Sequence, residues 1–266
     1  MCKGLVLFDY DGTLVDERDG IYTPTDLTKS AIRQLQEADY FCVLATGRAL
    51  SYIPQAARSL GLDGFVASNG AYVVVHDKMI HHAKFEDDEL QELIHYMDEH
   101  SINYFLEAAD HSYVKDMQEK EYRHLMDLYQ LPKEGFIPYQ DWDQVRGKIE
   151  KITLFFQDRS FLEQVGHELE AKFLCSYHRG ADSFDITKKG VHKGAGAQKI
   201  IEAFGIPMEA TYAFGDGDND VDLLKTVNCG IAMRKHNPLL DAVADMVCPT
   251  VKEEGIYTAL KKMEVI

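Results

Sequence analysis

GLVLF (residues 4–8) runs directly into DYDGT (residues 9–13). Five apolar residues without alternation read as a strand covered on both faces, as in a parallel sheet. The run stops at Asp9, and Asp11 follows after one intervening residue. An acid at the end of a fully apolar strand is a poor choice for stability unless something binds there. Asp-Gly is also a common turn pair, so a plain polar turn explains the same letters. The rest of the chain decides between a turn and a pair of working carboxylates.

The pattern recurs. FCVLA (41–45) ends in Thr46-Gly47-Arg48, FVAS (65–68) in Asn69-Gly70, and ATYAF (210–214) in Gly215-Asp216. CGIAM (229–233) and MVC (246–248) read as two weaker strands. Helical patterns lie between them. TPTDLTKSAIRQLQEA (23–38) spaces Leu27, Ala31, Leu35 and Ala38 along one face. YIPQAARSLG (52–61) and KGAGAQKIIEAFG (193–205) each end on a C-capping Gly, and DVDLLKTV (220–227) follows Asp216. Strand and helix in alternation predict an α/β fold with a doubly wound, Rossmann-like parallel sheet.

The alternation breaks from about 84 to 187, where helices at 87–100, 119–131 and 159–173 mix with extended runs such as KITLFFQ (151–157) and SFDIT (183–187). This reads as an α+β insert with its own mixed or antiparallel sheet. The expected domains are therefore 1–83 plus 188–266, with 84–187 inserted.

The 266 residues carry 44 acids against 28 Lys and Arg, a net charge of −16. Such a chain repels nucleic acid and anionic membranes, so neither is an expected partner. No obligate protein partner is evident, and a monomer is the default. An anionic substrate requires a local reversal of the field by a metal cation or placed basic groups. Five widely spaced cysteines without CxxC argue against a disulfide framework or a zinc site, and Cys42, Cys229 and Cys248 read as reduced core thiols. The apolar run after Lys3 is too short for a signal peptide, and no segment reaches the ~18 apolar residues of a membrane span. A cytoplasmic protein is expected. GxxxxGK[ST] and GxGxxG are both missing, so no nucleotide loop is supported.

A second acidic cluster, Gly215-Asp216-Gly217-Asp218-Asn219-Asp220, closes another strand. If the two strands are neighbours, Asp9 and Asp216 converge, and clustered carboxylates call for a hard cation such as Mg²⁺. Thr46 and the amides beside it can bind phosphate oxygens, and Lys193 opens a helix whose N-terminus adds to its positive charge.

DYDGTLVD, ATGR, KG and GDGDND, in that order, resemble the four motifs of the haloacid dehalogenase superfamily. The insert resembles the large α/β (C2-type) cap of its Cof-type sugar-phosphatase branch, and the resemblance spans essentially the whole chain. It implies an Mg²⁺-dependent phosphatase acting on small phosphorylated metabolites: sugar phosphates, nucleotides or phosphorylated cofactors. It implies Asp9 as nucleophile, forming an aspartyl-phosphate, and Asp11 as the proton shuttle. Mg²⁺ would sit on Asp9, the Asp11 carbonyl and Asp216, with Asp220 direct or through water. Thr46, Gly47, Lys193 and Asn219 would hold phosphate, Asn219 alternatively orienting Lys193. Arg48, Asn69, Arg179, Asp182 and Asp185 are candidates for substrate contact. The same residues serve phosphoryl transfer to a sugar hydroxyl, a mutase-like reaction. A non-catalytic phospho-ligand binder on this scaffold is the rival from another class, although both catalytic aspartates are present.

Two departures from the family pattern stand out. AMRKHN (232–237) replaces the small residues usual after the strand, so Arg234, Lys235 and His236 form either a basic surface loop or an added contact to substrate or cap. VKEEGI (251–256) stands where an Asp-Gly pair is common.

Overall fold

Residues Gly4–Phe8 form strand β1, and all five are buried. The computed structural model describes residues 2–117, 122, 123, 126, 131–178 and 181–266. It divides into one unit of Met1–Gly47, Gln55–His81 and His192–Ile266, and another of Arg48–Pro54 and His82–Val191. The segment 48–54 thus groups with the inserted unit rather than with the residues preceding it, and the crossings fall at 81/82 and 191/192 instead of 83/84 and 187/188.

In the first unit, strands numbered in chain order are β2 (Tyr40–Ala45), β3 (Gly64–Ala67), β4 (Tyr72–Val75), β5 (Lys78–His82), β12 (Thr211–Gly215), β13 (Cys229–Met233) and β14 (Met246–Cys248). With β1 they make one sheet in the order β14-β13-β12-β1-β2-β3-β4-β5. From β14 to β3 the pairings are parallel, and β4 turns back antiparallel on β3. The chain moves outward from β1 through β2 and β3, then returns to the other side of β1 as β12. That reversal is the switch point at which open α/β sheets bind ligands, beyond the carboxyl ends of their strands. Register pairs Phe8 with Phe214, and their rings stack at 5.6 Å. The two acidic loops therefore leave neighbouring strands at the same level.

One core cluster joins Leu5, Leu7, Val43, Ala45 and Ala213 to Ala197, Ile200 and Ile201 of helix Lys193–Phe204 and Leu223 and Leu224 of helix Val221–Thr226. Helix Asp26–Glu37 starts three residues later than its sequence pattern, because the Thr25 side chain caps it by accepting from the Thr28 amide. Its buried face is Thr28, Ala31, Ile32 and Leu35, and Leu27 faces solvent. The helix expected over 52–61 shrinks to one turn, Gln55–Arg58. Pro54 supplies no amide and pushes Ile53 to an extended ψ of 124°. Gly205, at φ 61°, ends helix Lys193–Phe204 as expected. Among the described residues no helix is long and apolar enough to cross a membrane.

The second unit carries β6 (Asn103–Glu107), β7 (Ser112–Val114), β8 (Phe136–Pro138), β9 (Lys151–Phe155), β10 (Phe173–Tyr177) and β11 (Ser183–Lys188), in the order β10-β11-β9-β6-β7-β8. All pairings are antiparallel except β7 with β8. Strict alternation splits each central strand between two faces. Tyr104, Leu106, Ile152, Leu154, Phe184 and Ile186 pack with helices Asp87–Glu99 and Arg159–Leu169. Phe105 and Phe155 point the other way and meet Tyr52 and Phe136. Most of the helix expected at 119–131 lies outside the described residues, as does Arg179.

Candidate active site

Asp9 follows β1 directly, and its amide donates to the Phe214 carbonyl at 2.9 Å, which continues the parallel ladder by one residue. Its carboxylate is buried. Lys193 Nζ lies 2.7 Å from Asp9 Oδ1 and 2.7 Å from Asp220 Oδ1. The ammonium is itself buried, the first residue of a helix whose N-terminal end is held by His192, whose Nδ1 accepts from the Ala195 amide at 3.2 Å. Gly70, at φ 98°, lets the Asn69-Gly70 turn approach this end, since a Cβ there would meet the His192 carbonyl at 2.2 Å.

Asp216 follows β12. Gly12, at φ 92°, brings the Asp9–Thr13 turn against it: a Cβ on Gly12 would lie 2.3 Å from Asp216 Oδ2. The space a glycine leaves here is therefore filled by the second loop's carboxylate. Thr13, absent from the expected site residues, is fully buried and donates its hydroxyl to Asp216 Oδ1 at 3.3 Å. The DGT triplet contains that signal, but the partner is 203 residues away. Asp11 sits exposed on the same turn.

Asp220 organises the second loop. Its Oδ2 accepts from the Asp216 amide at 3.0 Å and the Gly217 amide at 2.9 Å, while Oδ1 faces Lys193. Thr46 is buried at the end of β2, where its amide donates to Val66 at 2.8 Å and its carbonyl accepts from Asn69 at 3.1 Å. Asn219 Nδ2 donates to Asn69 Oδ1 at 2.9 Å, and a Cβ on Gly47 would be in contact with both amides. Thus Gly47, Asn69 and Asn219 come together, with Asn69 in the left-handed region at φ 52°.

The electrostatics follow from burial. Desolvation pushes the Asp9 carboxyl up to about 7, opposed by the Lys193 ammonium and reinforced by Asp220 and Asp11. Asp216 is raised for the same leading reason, then by Asp9 and Asp220. Lys193 is held above the usual lysine range: burial works against its charge, but Asp220 and Asp9 outweigh it. The Lys193 ammonium pairs with Asp9 and Asp220, and the Asp216 carboxyl lies close by as a further acid. Oxygens of Asp9, Asp216 and Asp220 lie within 4.8 Å of one another. An all-oxygen, net-negative set of this span fits a hard divalent cation.

Other residues take different roles from those expected. Asp185 is buried within the second unit, its Oδ1 2.8 Å from Lys151 Nζ and 2.6 Å from Thr153 Oγ1, with His178 at 3.2 Å. It belongs to an internal charge network rather than to an open contact surface, because a buried carboxylate needs such partners. Asp182 is half-exposed and pairs with Arg159 at 3.6 Å. Arg48 falls in the second unit. The AMRKHN loop makes contacts inside the first unit: Arg234 with Glu253 at 2.9 Å, and Lys235 with Asp19 at 2.7 Å.

Comparison with known proteins agrees with this geometry. YkrA of Bacillus subtilis, assigned only provisionally as a phosphatase, is 28% identical over 99% of this chain and 98% of its own. The 5-amino-6-(5-phospho-D-ribitylamino)uracil phosphatase YcsE of Bacillus subtilis is 25% identical over 97% of this chain and 94% of its own. The subclass IIB sugar phosphatase BT4131 superposes with a TM-score of 0.85 at 25% identity, covering 99% of this chain and 100% of that one. The model of the haloacid dehalogenase-like hydrolases matches residues 6–260, nearly the full length, so the chain belongs to that family.

Proposed function

We propose that this protein is an Mg²⁺-dependent phosphatase that hydrolyses small phosphorylated metabolites through an aspartyl-phosphate on Asp9. The observation that carries this reading is the buried Asp9 carboxylate, held by Lys193 at 2.7 Å where two parallel strands deliver both acidic loops. Asp9, Asp216, Asp220 and the Asp11 carbonyl would hold the metal. When bound, Mg²⁺ neutralises carboxylate and phosphate charge and favours the ionised form of Asp9.

The chain's own residues then divide the work. A carboxylate oxygen of Asp9 attacks phosphorus, and the bond from phosphorus to the leaving oxygen breaks. Asp11, exposed on the flanking turn, gives its proton to that oxygen and later takes one from the attacking water. Water's oxygen bonds to phosphorus, the Asp9 ester bond breaks, and inorganic phosphate leaves. Thr46, Gly47 and Lys193 hold the phosphoryl oxygens, and Asn219 is aimed by Asn69. Sugar phosphates and ribityl phosphates are the favoured substrates, since these are what BT4131 and YcsE are named for. All five cysteines are free thiols, which fits the reducing cytoplasm.

The test is phosphate release from a panel of phosphorylated sugars, nucleotides and cofactors, with Mg²⁺ and with excess chelator. Release that needs both Mg²⁺ and Asp9 is expected. No release from any compound, or equal release after Asp9→Asn, overturns the reading.

A further inference from the structure

The loop after β13 departs from the family pattern at Arg234, Lys235 and His236, and the reaction above uses none of them. Arg234 pairs with Glu253, and His236 bonds the Met233 carbonyl and lies 3.1 Å from Asp241. Lys235 reaches elsewhere. Its Nζ is 2.7 Å from Asp19 Oδ2 and 3.5 Å from Asp16 Oδ2. Those acids belong to a tight hairpin closed by two Asp16–Ile21 backbone bonds of 2.9 Å each. The hairpin continues directly from the turn that carries Asp11, itself closed by the Gly12 amide on the Val15 carbonyl at 2.8 Å.

Two residues beyond Lys235, the Asn237 amide donates to the Asp216 carbonyl at 2.7 Å. From the other side, the Thr13 hydroxyl reaches Asp216 Oδ1 at 3.3 Å. The contacts close a ring: Asp216, Thr13, the 14–19 segment, Lys235, Asn237 and Asp216 again. Besides the Lys235 contacts, the bond from Thr13 to Asp216 is long at 3.3 Å, and long hydrogen bonds are weak. The Asp19 carboxyl is held below its usual range chiefly by its hydrogen bond from Lys235, so the pair is charged on both sides at neutral pH.

We infer that Lys235 is a positioning residue: by clamping the Asp16–Ile21 hairpin to the loop that ends on Asp216, it fixes the Asp11 turn against the metal-binding loop. The inference rests on the phosphatase reading for its effect on turnover, but not for the ring itself. Lys235 and Asp19 are partly exposed, so the clamp is modest and weakens with salt.

The experiment compares wild type with Lys235→Gln, Asp19→Asn and the double variant. Each single change is expected to raise the half-saturating Mg²⁺ concentration about twofold to fivefold, with the substrate KM unchanged. The double variant should be no worse than Lys235→Gln alone, because that change already removes the pair with Asp19. The difference from wild type should shrink at high salt. Backbone hydrogen exchange on the metal-free proteins supplies a readout that needs no turnover: Lys235→Gln should speed exchange both at 13–21 and at the Asn237 amide. Faster exchange confined to the hairpin, with Asn237 as protected as in wild type, overturns the ring. Additive single effects overturn the clamp. A wild type that shows no Mg²⁺-dependent phosphate release would instead count against the phosphatase reading, and the exchange result would still decide the ring.

Discussion

Lys193 Nζ stands 2.7 Å from Asp9 Oδ1, although 184 positions separate the two residues. The ammonium is fully enclosed and bridges to Asp220 at the same distance. Buried between two carboxylates, it carries structural weight. Removing one partner of a buried charge group exposes the others to uncompensated burial, at a cost of about 3–5 kcal/mol. Lys193→Met is therefore expected to lose that much stability without metal and to regain part of it with Mg²⁺, as binding to the folded state requires. Chemical unfolding with and without Mg²⁺ checks this, and a variant as stable as wild type in chelator would contradict it.

Asp9→Asn should behave in the opposite way. The amide cannot attack phosphorus, so turnover should fall roughly a thousandfold or more. Stability should hold, because the change removes a carboxyl that burial already pushes up to about 7, and Lys193 keeps Asp220. Phosphate release and a thermal melt, run side by side, separate the two effects.

Gly12→Ala tests the approach of the two loops. The new Cβ would lie 2.3 Å from Asp216 Oδ2 in a left-handed backbone. Gly61→Ala is the control, because Gly61 shares a positive φ of 67° with nothing within 4 Å. Both should lose roughly 1–2 kcal/mol for the backbone. Only Gly12→Ala should also weaken Mg²⁺ dependence and turnover, and equal activity in the two variants would rule out the crowding argument.

The second unit's charge network predicts a contrast between two acids. Burial raises the Glu107 carboxyl against the opposing pull of Lys151, while Lys151 and then His178 overcome burial and hold Asp185 below the usual range. Glu107→Gln, which keeps the acceptor for Tyr52, should change stability by less than about 1.5 kcal/mol, whereas Asp185→Asn should cost about 3–5 kcal/mol. A depressed carboxyl contributes stability above its unfolded value and loses it as pH falls toward the folded one. The gap between wild type and Asp185→Asn should accordingly be full at neutral pH and close below about pH 4. Urea unfolding at several pH values reads this directly.

Much of the core was legible in the letters. Unbroken apolar runs mark β1, β2, β3 and β12 within a residue or two, because strands covered on both faces leave no alternation to misread. The 72–82 hairpin carried no expectation, since YVVV alternates in burial only once β3 pairs with it. The 52–61 helix failed at Pro54, whose effect on Ile53 is local and could have been read. Asp185 misled for the opposite reason: its sequence neighbours say nothing of Lys151, which sits on the adjacent strand.

The sequence by itself determined the chemistry on offer: acids at strand ends, a lysine at a helix start, and glycines where loops must turn. These are properties of residue type and near neighbours. Only the tertiary structure decided which groups meet. Parallel pairing of β1 with β12 sets Asp9 beside Asp216, and the helix packed behind them delivers Lys193 between Asp9 and Asp220. Thr13, Asn237 and Lys235 acquire their roles through the same convergence, because partners 203 or 216 residues apart leave no mark in local pattern.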